Sequence, residues 1–502
     1  MVARSPGVLV ADGFSPIPSV AWIDALQVTP GEPDASATAV GITVGPDGEV
    51  PAALGFDRDA LGRAGFTGAV GSTLVIPSAS GPALVAVGLG DAAALTPAAL
   101  RDVAASFARA SATHARIAFE LTTSGPVDAA AAGQALAEGL VLARYRYRAL
   151  KAKAAEPELA SVSIVVDGAD LADFGAGVLR ARATVRAAAV ARDLANTPPG
   201  HLTATDIGRA AVELGARFGF DVELVGREEL IALGCGGILG VNAGSAEEPV
   251  MVVLRYAGRD NGRHLAMIGK GLMYDSGGIS LKPSDPMHLL MKMDMGGAAA
   301  ILGAFTALDE LGVASATSAW LMCTDNMPSG SAYKLGDVLT ARNGTTVEVK
   351  NTDAEGRLAM MDGLALAAEE KPDAIVDIAT LTGAALMSLG QRTAALFGND
   401  ESLVDRMRAA SAETGEQVWQ LPLERAYRKQ LDSAIADISN LGGPFAGATT
   451  AALFLEEFVD GIPWAHVDIA GTMQSDADDS WRSAGATGFG ARLLTQLAED
   501  FA

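Results

Sequence analysis

The sequence predicts an α/β protein in two unequal parts. A small N-terminal α/β domain spans residues 1–170, a connecting helix 171–197, and a larger C-terminal α/β domain, with a mostly parallel, helix-flanked sheet, 198–502. Three observations carry that prediction. Short Val- and Ile-rich runs alternate with longer Ala- and Leu-rich ones in both halves, the pattern of strands separated by helices. A proline-free stretch over 171–196 halts at Thr197-Pro198-Pro199-Gly200, a strong helix stop between the two blocks. Hydrophobic residues make up 49% of the 502 and glycines number 57, which suits large cores joined by tight turns.

Taken in order, the first block offers strands at 25–28, 39–44, 72–76, 83–87, 116–121 and 161–166, with helices at 96–112 and 127–153. It holds no paired carboxylates, histidine cluster or phosphate-binding glycine pattern, so it is expected to be non-catalytic. The Ala- and Arg-rich run 171–196 then reads as one connecting helix. The second block alternates again: helix 204–218, strand 222–225, helix 227–233, strands 251–256 and 265–268, helix 297–311, and strands 318–323, 374–378 and 465–469.

Charge narrows the partners. The net charge is −23 and the pI about 4.6, which opposes non-specific binding to nucleic acid or anionic membrane. Residues 1–16 lack the basic start and apolar run of a signal peptide, and no stretch reads as a run of roughly 20 apolar residues, so a cytoplasmic protein is expected. Cys235 and Cys323 lie far apart among apolar neighbours, the setting of inert buried thiols.

Two acidic constellations stand out. The first, Asn351-Thr352-Asp353-Ala354-Glu355-Gly356-Arg357-Leu358, follows a strand-like run at 346–349 and precedes a helix-like run at 358–370. Two carboxylates one residue apart in an extended turn point the same way and suit a shared cation, with an arginine fork beside them. Alone, the octapeptide reads equally as an acidic helix cap with Arg357 in a surface ion pair. The second lies at the end of the 265–268 strand: Lys270, Asp275, Lys282 and Asp294, with a glycine pair before the next helix. Taken singly these would be surface charges or turn formers. Their shared placement at strand ends of one sheet favours a ligand site.

The segments GKGLMYDSGGISLKP, MKMDMGG, NTDAEGRL, ATLTGA (379–384) and WAHVDIAG (464–471) resemble, in this order and spacing, the leucyl aminopeptidase (cytosol aminopeptidase) family. The resemblance covers residues 190 to 495; the N-terminal block is similar only in size and α/β character. It implies a catalytic metallopeptidase domain over 198–502 and a two-metal exopeptidase acting on peptides with neutral apolar first residues such as Leu or Met. By motif, Asp275 and Glu355 would bridge two divalent metals, Lys270 and Asp294 would complete the tighter site, and Asp353 the more exchangeable one. A water or hydroxide shared by the two metals would attack the peptide carbonyl, which Lys282 would polarise. Arg357 would hold a bicarbonate acting as general base. Met291, Thr380, Gly383, Ala470 and Met473 would line the pocket for the first side chain. The family also implies a homohexamer enclosing its active sites, restricted to short peptides and disordered ends.

An oxygen-rich ligand set without His or Cys points by itself to Mn²⁺ or Mg²⁺. The family commonly carries Zn²⁺ beside an exchangeable second metal, so zinc and manganese both stay open, with Mg²⁺ and Co²⁺ as alternatives. The chain departs from the family at Met273-Tyr274, where Thr-Phe is usual, at Lys334-Leu335 and at Ala359-Met360-Met361-Asp362. No departure removes a proposed ligand. His466 is expected to be structural, and the other four histidines form no spaced cluster. A DNA-associated scaffold is opposed by the net charge. A two-metal amidase or phosphoesterase is opposed by the apolar pocket and the lack of phosphate-clamping arginines.

Overall fold

The proline-free stretch folds as one helix, Leu171–Asn196, lying between two sheets. The Asp170 side chain caps its N-terminus on the amides of Ala172 and Asp173. Pro198 cannot continue it past Thr197. Small alanines let it pack closely on helix Ala129–Leu142 on the N-terminal side and Gly296–Leu311 on the C-terminal side. This computed structural model describes residues 10–501 apart from 12, 32, 154, 167–169 and 260–261, so part of the leader region 1–16 lies outside the described residues.

The N-terminal sheet has six strands in the order Gln27–Pro30, Ser161–Val166, Arg116–Leu121, Ala39–Val44, Ala83–Gly88 and Thr73–Ile76. All pairs are parallel except the last. The larger sheet has eight: Val418–Gln420, Ala394–Gly398, Trp464–Asp468, Ala374–Ala379, His264–Asp275, Ala316–Asn326, Val250–Tyr256 and Asp221–Val225. Its four middle strands are mutually parallel and antiparallel neighbours flank them. Apolar side chains bury both faces, as a helix-covered parallel sheet requires.

Several elements differ from the sequence expectation. The strand at 25–28 splits into helix Ser19–Ala25 and strand Gln27–Pro30. The helix expected over 127–153 ends at Leu142. There the buried Arg144 guanidinium donates to the carbonyls of Ser111, Ala112, His114 and Pro157, turning the chain away. Helix Gly236–Asn242, rich in glycine, was not anticipated.

The central strand His264–Asp275 runs far past 268, straight through the Gly-Lys-Gly segment. Helix Gly296–Leu311 crosses it so closely that a Cβ on Gly269 would sit 2.8 Å from the Ala298 Cα, so glycine here serves close approach and does not end the strand. Strand Thr346–Glu348 belongs to a separate three-stranded sheet with Val338–Thr340 and Ile438–Ser439. Asp353 lies on a turn, but Glu355 opens helix Glu355–Glu369, so the two carboxylates converge through a turn and a helix start, not through an extended strand. That helix packs on the central strand, which brings its N-terminus to the main sheet's carboxyl edge.

One apolar stretch, Pro286–Leu311, is long enough by length and hydropathy to cross a membrane, contrary to the expectation that none is. In the fold 78% of its most apolar window is buried against protein, so it is a core segment of the larger domain.

Candidate active site

Lys270 and Asp275 both lie on the central strand, at its carboxyl-terminal half. Asp294 follows the 3-10 turn Met291–Met293 and precedes helix Gly296–Leu311. Thr380 and Gly383 follow strand Ala374–Ala379, and Ala470 and Met473 follow Trp464–Asp468. All therefore gather at the carboxyl ends of neighbouring parallel strands, where such sheets hold ligands.

The ionisable groups interlock. Carboxylate oxygens of Asp275, Asp353 and Glu355 lie within 4.8 Å of one another. Lys270 Nζ sits 2.7 Å from Asp294 Oδ2, 2.9 Å from Glu355 Oε1 and 2.9 Å from the carbonyl oxygen of Thr380. Lys282 Nζ sits 2.8 Å from Asp275 Oδ2 and 2.5 Å from Asp353 Oδ1. Lys270, Asp275, Asp294 and Glu355 are buried, which overturns the surface-charge reading of Lys270 and Asp294 taken singly.

Burial pushes the Asp275 and Asp294 carboxyls up, the neighbouring carboxylates adding to it against the two lysines. Asp353 is pushed up to about 6 by burial and by Glu355 and Asp275. Glu355 also feels burial, but Lys270 and Lys282 outweigh it and hold it below the ordinary range. For both lysines burial is outweighed by the surrounding carboxylates, which raise them.

Four carboxylates against two ammonium groups leave a formal net charge of −2 in a largely buried site, and this crowding is part of what pushes the aspartic carboxyls up. Glu355 Oε2, Asp294 Oδ2 and Asp353 Oδ1 are buried without a hydrogen bond; the last two have only their ion-pair contacts. An uncompensated negative charge and lone pairs without donors are what divalent cations would satisfy. The residues fit the implied metals.

A cavity of about 260 Å³ adjoins these groups. It is lined by the charged groups Lys270, Asp275, Lys282, Asp294, Asp353 and Glu355 and also by Met291, Thr380, Gly383, Ala470 and Met473. Arg357 does not line it. That residue is buried in the first turn of its helix, with Nη1 donating to the Asn440 carbonyl oxygen at 3.1 Å, which excludes a surface ion pair.

The sequence reading missed further parts. Leu290, Leu386 and Gln474 also line the cavity. Asn326, the register partner of Asp275, donates from Nδ2 to Asp275 Oδ1 at 2.8 Å and to the Thr352 carbonyl oxygen at 2.9 Å, tying the two constellations together. Asp468 Oδ2 accepts from the Thr382 hydroxyl at 2.7 Å and its Oδ1 from the amides of Leu381 and Ala470, fixing the pocket loop. The aspartate in WAHVDIAG was the available signal.

His466 sits in the core instead, its Nδ1 2.5 Å from Asp377 Oδ1, with the Phe397 ring stacked 6.0 Å away. Tyr274 stacks on His288 at 5.8 Å while Met273 is buried in the core. Both cysteines are buried and free, and burial pushes the Cys235 thiol up to about 12.

Comparison with known proteins identifies the family. Residues 189–495 match the catalytic domain of the cytosol aminopeptidase family and residues 58–154 its N-terminal domain, which extends the likeness into the first block. A probable cytosol aminopeptidase of Alkaliphilus metalliredigens is 41% identical over 456 residues, covering 89% of this chain and 91% of that protein. One from Streptomyces avermitilis is 41% identical over 495 residues, covering 93% and 96%. Among solved structures, the bottromycin maturation enzyme BotP in complex with Mn superimposes with a TM-score of 0.84 at 37% identity, over 93% of this chain and 100% of that one. The chain belongs to the cytosol aminopeptidase family, peptide-cleaving hydrolases, through both its N-terminal and its catalytic domain.

Proposed function

We propose that the protein is a metal-dependent aminopeptidase that removes neutral, apolar first residues such as Leu or Met from peptides. The observation that carries this is the buried cluster of four carboxylates and two lysines opening onto a methionine-walled cavity. Two divalent cations per subunit would be held by Asp275 and Glu355 between them, by Lys270 and Asp294 on the tighter side and by Asp353 on the exchangeable side. When bound, such a pair acidifies a shared water and polarises the scissile carbonyl. The manganese in the BotP neighbour supports manganese as one occupant, with zinc the family's other expectation.

The chain's own residues set the rest. Lys282, kept charged by Asp275 and Asp353, would donate a hydrogen bond to the carbonyl oxygen as charge develops there. Met291 and Met473 are flexible, polarizable walls that adapt to Leu or Met side chains. We further read the domain bounds as 1–170, 171–197 and 198–502, the assembly as a homohexamer and the location as cytoplasmic, as the family implies.

A panel of aminoacyl amides run with Mn²⁺, Zn²⁺, Mg²⁺ and Co²⁺ in turn tests the reading. Leucyl and methionyl amides should exceed aspartyl and glutamyl ones by roughly 10²-fold in kcat/KM, because an unpaired buried carboxylate costs several kcal/mol. Equal values for leucyl and glutamyl amides would place the pocket elsewhere, and no turnover with any metal would overturn the function.

A second test uses the backbone. A Cβ on Gly356 would lie 2.5 Å from Lys270 Cε and 2.7 Å from its Nζ. Gly356→Ala is therefore expected to push the lysine head off Asp294 and Glu355. A loss of roughly 10²-fold in kcat/KM should follow, the scale of a misplacement of about 1 Å. Wild-type kinetics in that variant would remove Lys270 from the machinery.

A further inference from the structure

Lys292 stands between the cavity-lining Met291 and Met293, two residues before Asp294. Its Nζ donates to the carbonyl oxygen of Asn196 at 2.8 Å. Asn196 is the last residue of the connecting helix, so that oxygen is one of the carbonyls a helix end leaves without an intrahelical donor. A cation there also meets the negative end of the helix dipole. Lys292 is half-buried and forms no ion pair with a carboxylate among the described residues.

Asn196 is itself fixed from both domains. Its Nδ2 donates to the Tyr145 hydroxyl at 3.3 Å, and its Oδ1 accepts from the amide of Ala486 at 3.1 Å. Tyr145 in turn donates to Asp193 Oδ1 at 2.9 Å, and Asp193 accepts from the amide and hydroxyl of Ser19 at 2.7 and 2.9 Å. Ser19 and Tyr145 lie on the N-terminal side of the connecting helix, Ala486 on the C-terminal side. The other end of the chain of contacts is a single 3-10 turn, Met291–Met293, which has few hydrogen bonds of its own to hold it.

We propose that Lys292 is a positioning residue. By clamping this turn to the end of the connecting helix, it sets the placement of Met291 and Asp294 and carries the N-terminal domain's hold on Asn196 into the site. The inference rests on the metallopeptidase reading above and gives the N-terminal domain a part in it. The competing account is a helix cap that contributes to stability alone.

The test uses the full-length protein, stripped of metal and titrated with Mn²⁺ by calorimetry, with kcat and KM for leucyl amide measured separately. Lys292→Met should weaken the tighter Mn²⁺ site about 10-fold, the low end for partners outside the ligand set, and raise KM several-fold more than it lowers kcat. Lys292→Arg, which keeps the charge and a donor, should restore both to within about twofold of wild type, on the same outer-shell scale. Tyr145→Phe should shift the Mn²⁺ affinity in the same direction by a smaller factor. Should Lys292→Met fail to accumulate, Lys292→Gln repeats the measurement with less disturbance. Unchanged Mn²⁺ affinity and KM in the Met or Gln variant overturn the clamp, whatever the Tm, and so does an arginine variant no better than methionine. Wild-type protein that binds none of Mn²⁺, Zn²⁺, Mg²⁺ and Co²⁺ would instead refute the metallopeptidase reading.

Discussion

Asp294→Ala is expected to abolish measurable aminopeptidase activity and to lower the metal content of the purified protein from two ions per chain towards one. Asp294 is buried, and its Oδ2 meets only the Lys270 ammonium, 2.7 Å away. Without that carboxylate the tighter side keeps Lys270 and the shared Asp275 and Glu355 but loses its one unshared carboxylate. The fold should survive. Breaking a buried ion pair costs about 3–5 kcal/mol when it strands a charge, but here Lys270 retains Glu355 Oε1 at 2.9 Å and the Thr380 carbonyl oxygen. The loss in stability of the metal-free protein should therefore fall below that range. Elemental analysis and thermal melts of metal-free protein check the two halves separately. Full metal occupancy in the variant would take Asp294 out of the ligand set, and a melt lowered as far as a stranded charge demands would make its role structural.

The chemistry of this site was more legible than its geometry. Residue types and order drew attention to Lys270, Asp275, Lys282, Asp294, Asp353 and Glu355, but taken singly each also reads as a surface charge, a turn former or a helix cap, and only the ordered family motifs gave them roles. What periodicity could not supply was tertiary context. Glycines at 269 and 271 read as breakers that end the central strand at 268, whereas pairing with Ala374–Ala379 reaches Gly269 and pairing with Ala316–Asn326 carries the strand on to Asp275. The strand-like run at 346–349 carries no local record of its partners, which are Val338–Thr340 just before it and Ile438–Ser439 far after it in sequence. Asn326 and Gln474 escaped notice for a related reason. Neutral amides become site residues only through their neighbours, and those neighbours come from pairing over about fifty residues for Asn326 and from a cavity wall for Gln474.

Arg357→Ala is expected to lower kcat by roughly 10²–10⁴-fold, the range of general-base catalysis, while leaving metal content unchanged. The motivation is a vacancy in the proton accounting. Glu355 and the aspartates are committed to the charge cluster, and His466 is occupied by Asp377 in the core, so no lining side chain is free to accept the water's proton. Bicarbonate, when bound, would supply that base. Arg357 suits it in one observed respect: its Nε is buried with no acceptor, while Nη1 is held by the Asn440 carbonyl oxygen. Burial pushes the guanidinium down to about 10, against the pull of Glu355 and Asp468, so it remains a cation at neutral pH. In carbon-dioxide-depleted buffer the wild type should gain activity on adding bicarbonate, and Arg357→Ala should not. Arg357→Lys, which keeps the charge without the planar fork, should recover only part of the response. The opposing account starts from Arg357 lying outside the cavity lining and tying the Glu355 helix to Asn440. On that account Arg357→Ala strands the Asn440 carbonyl, costs about 1–3 kcal/mol of stability, loosens Glu355 and sheds metal. A variant that keeps the full bicarbonate response would assign the base elsewhere, and one that loses its metals would make Arg357 a structural tie.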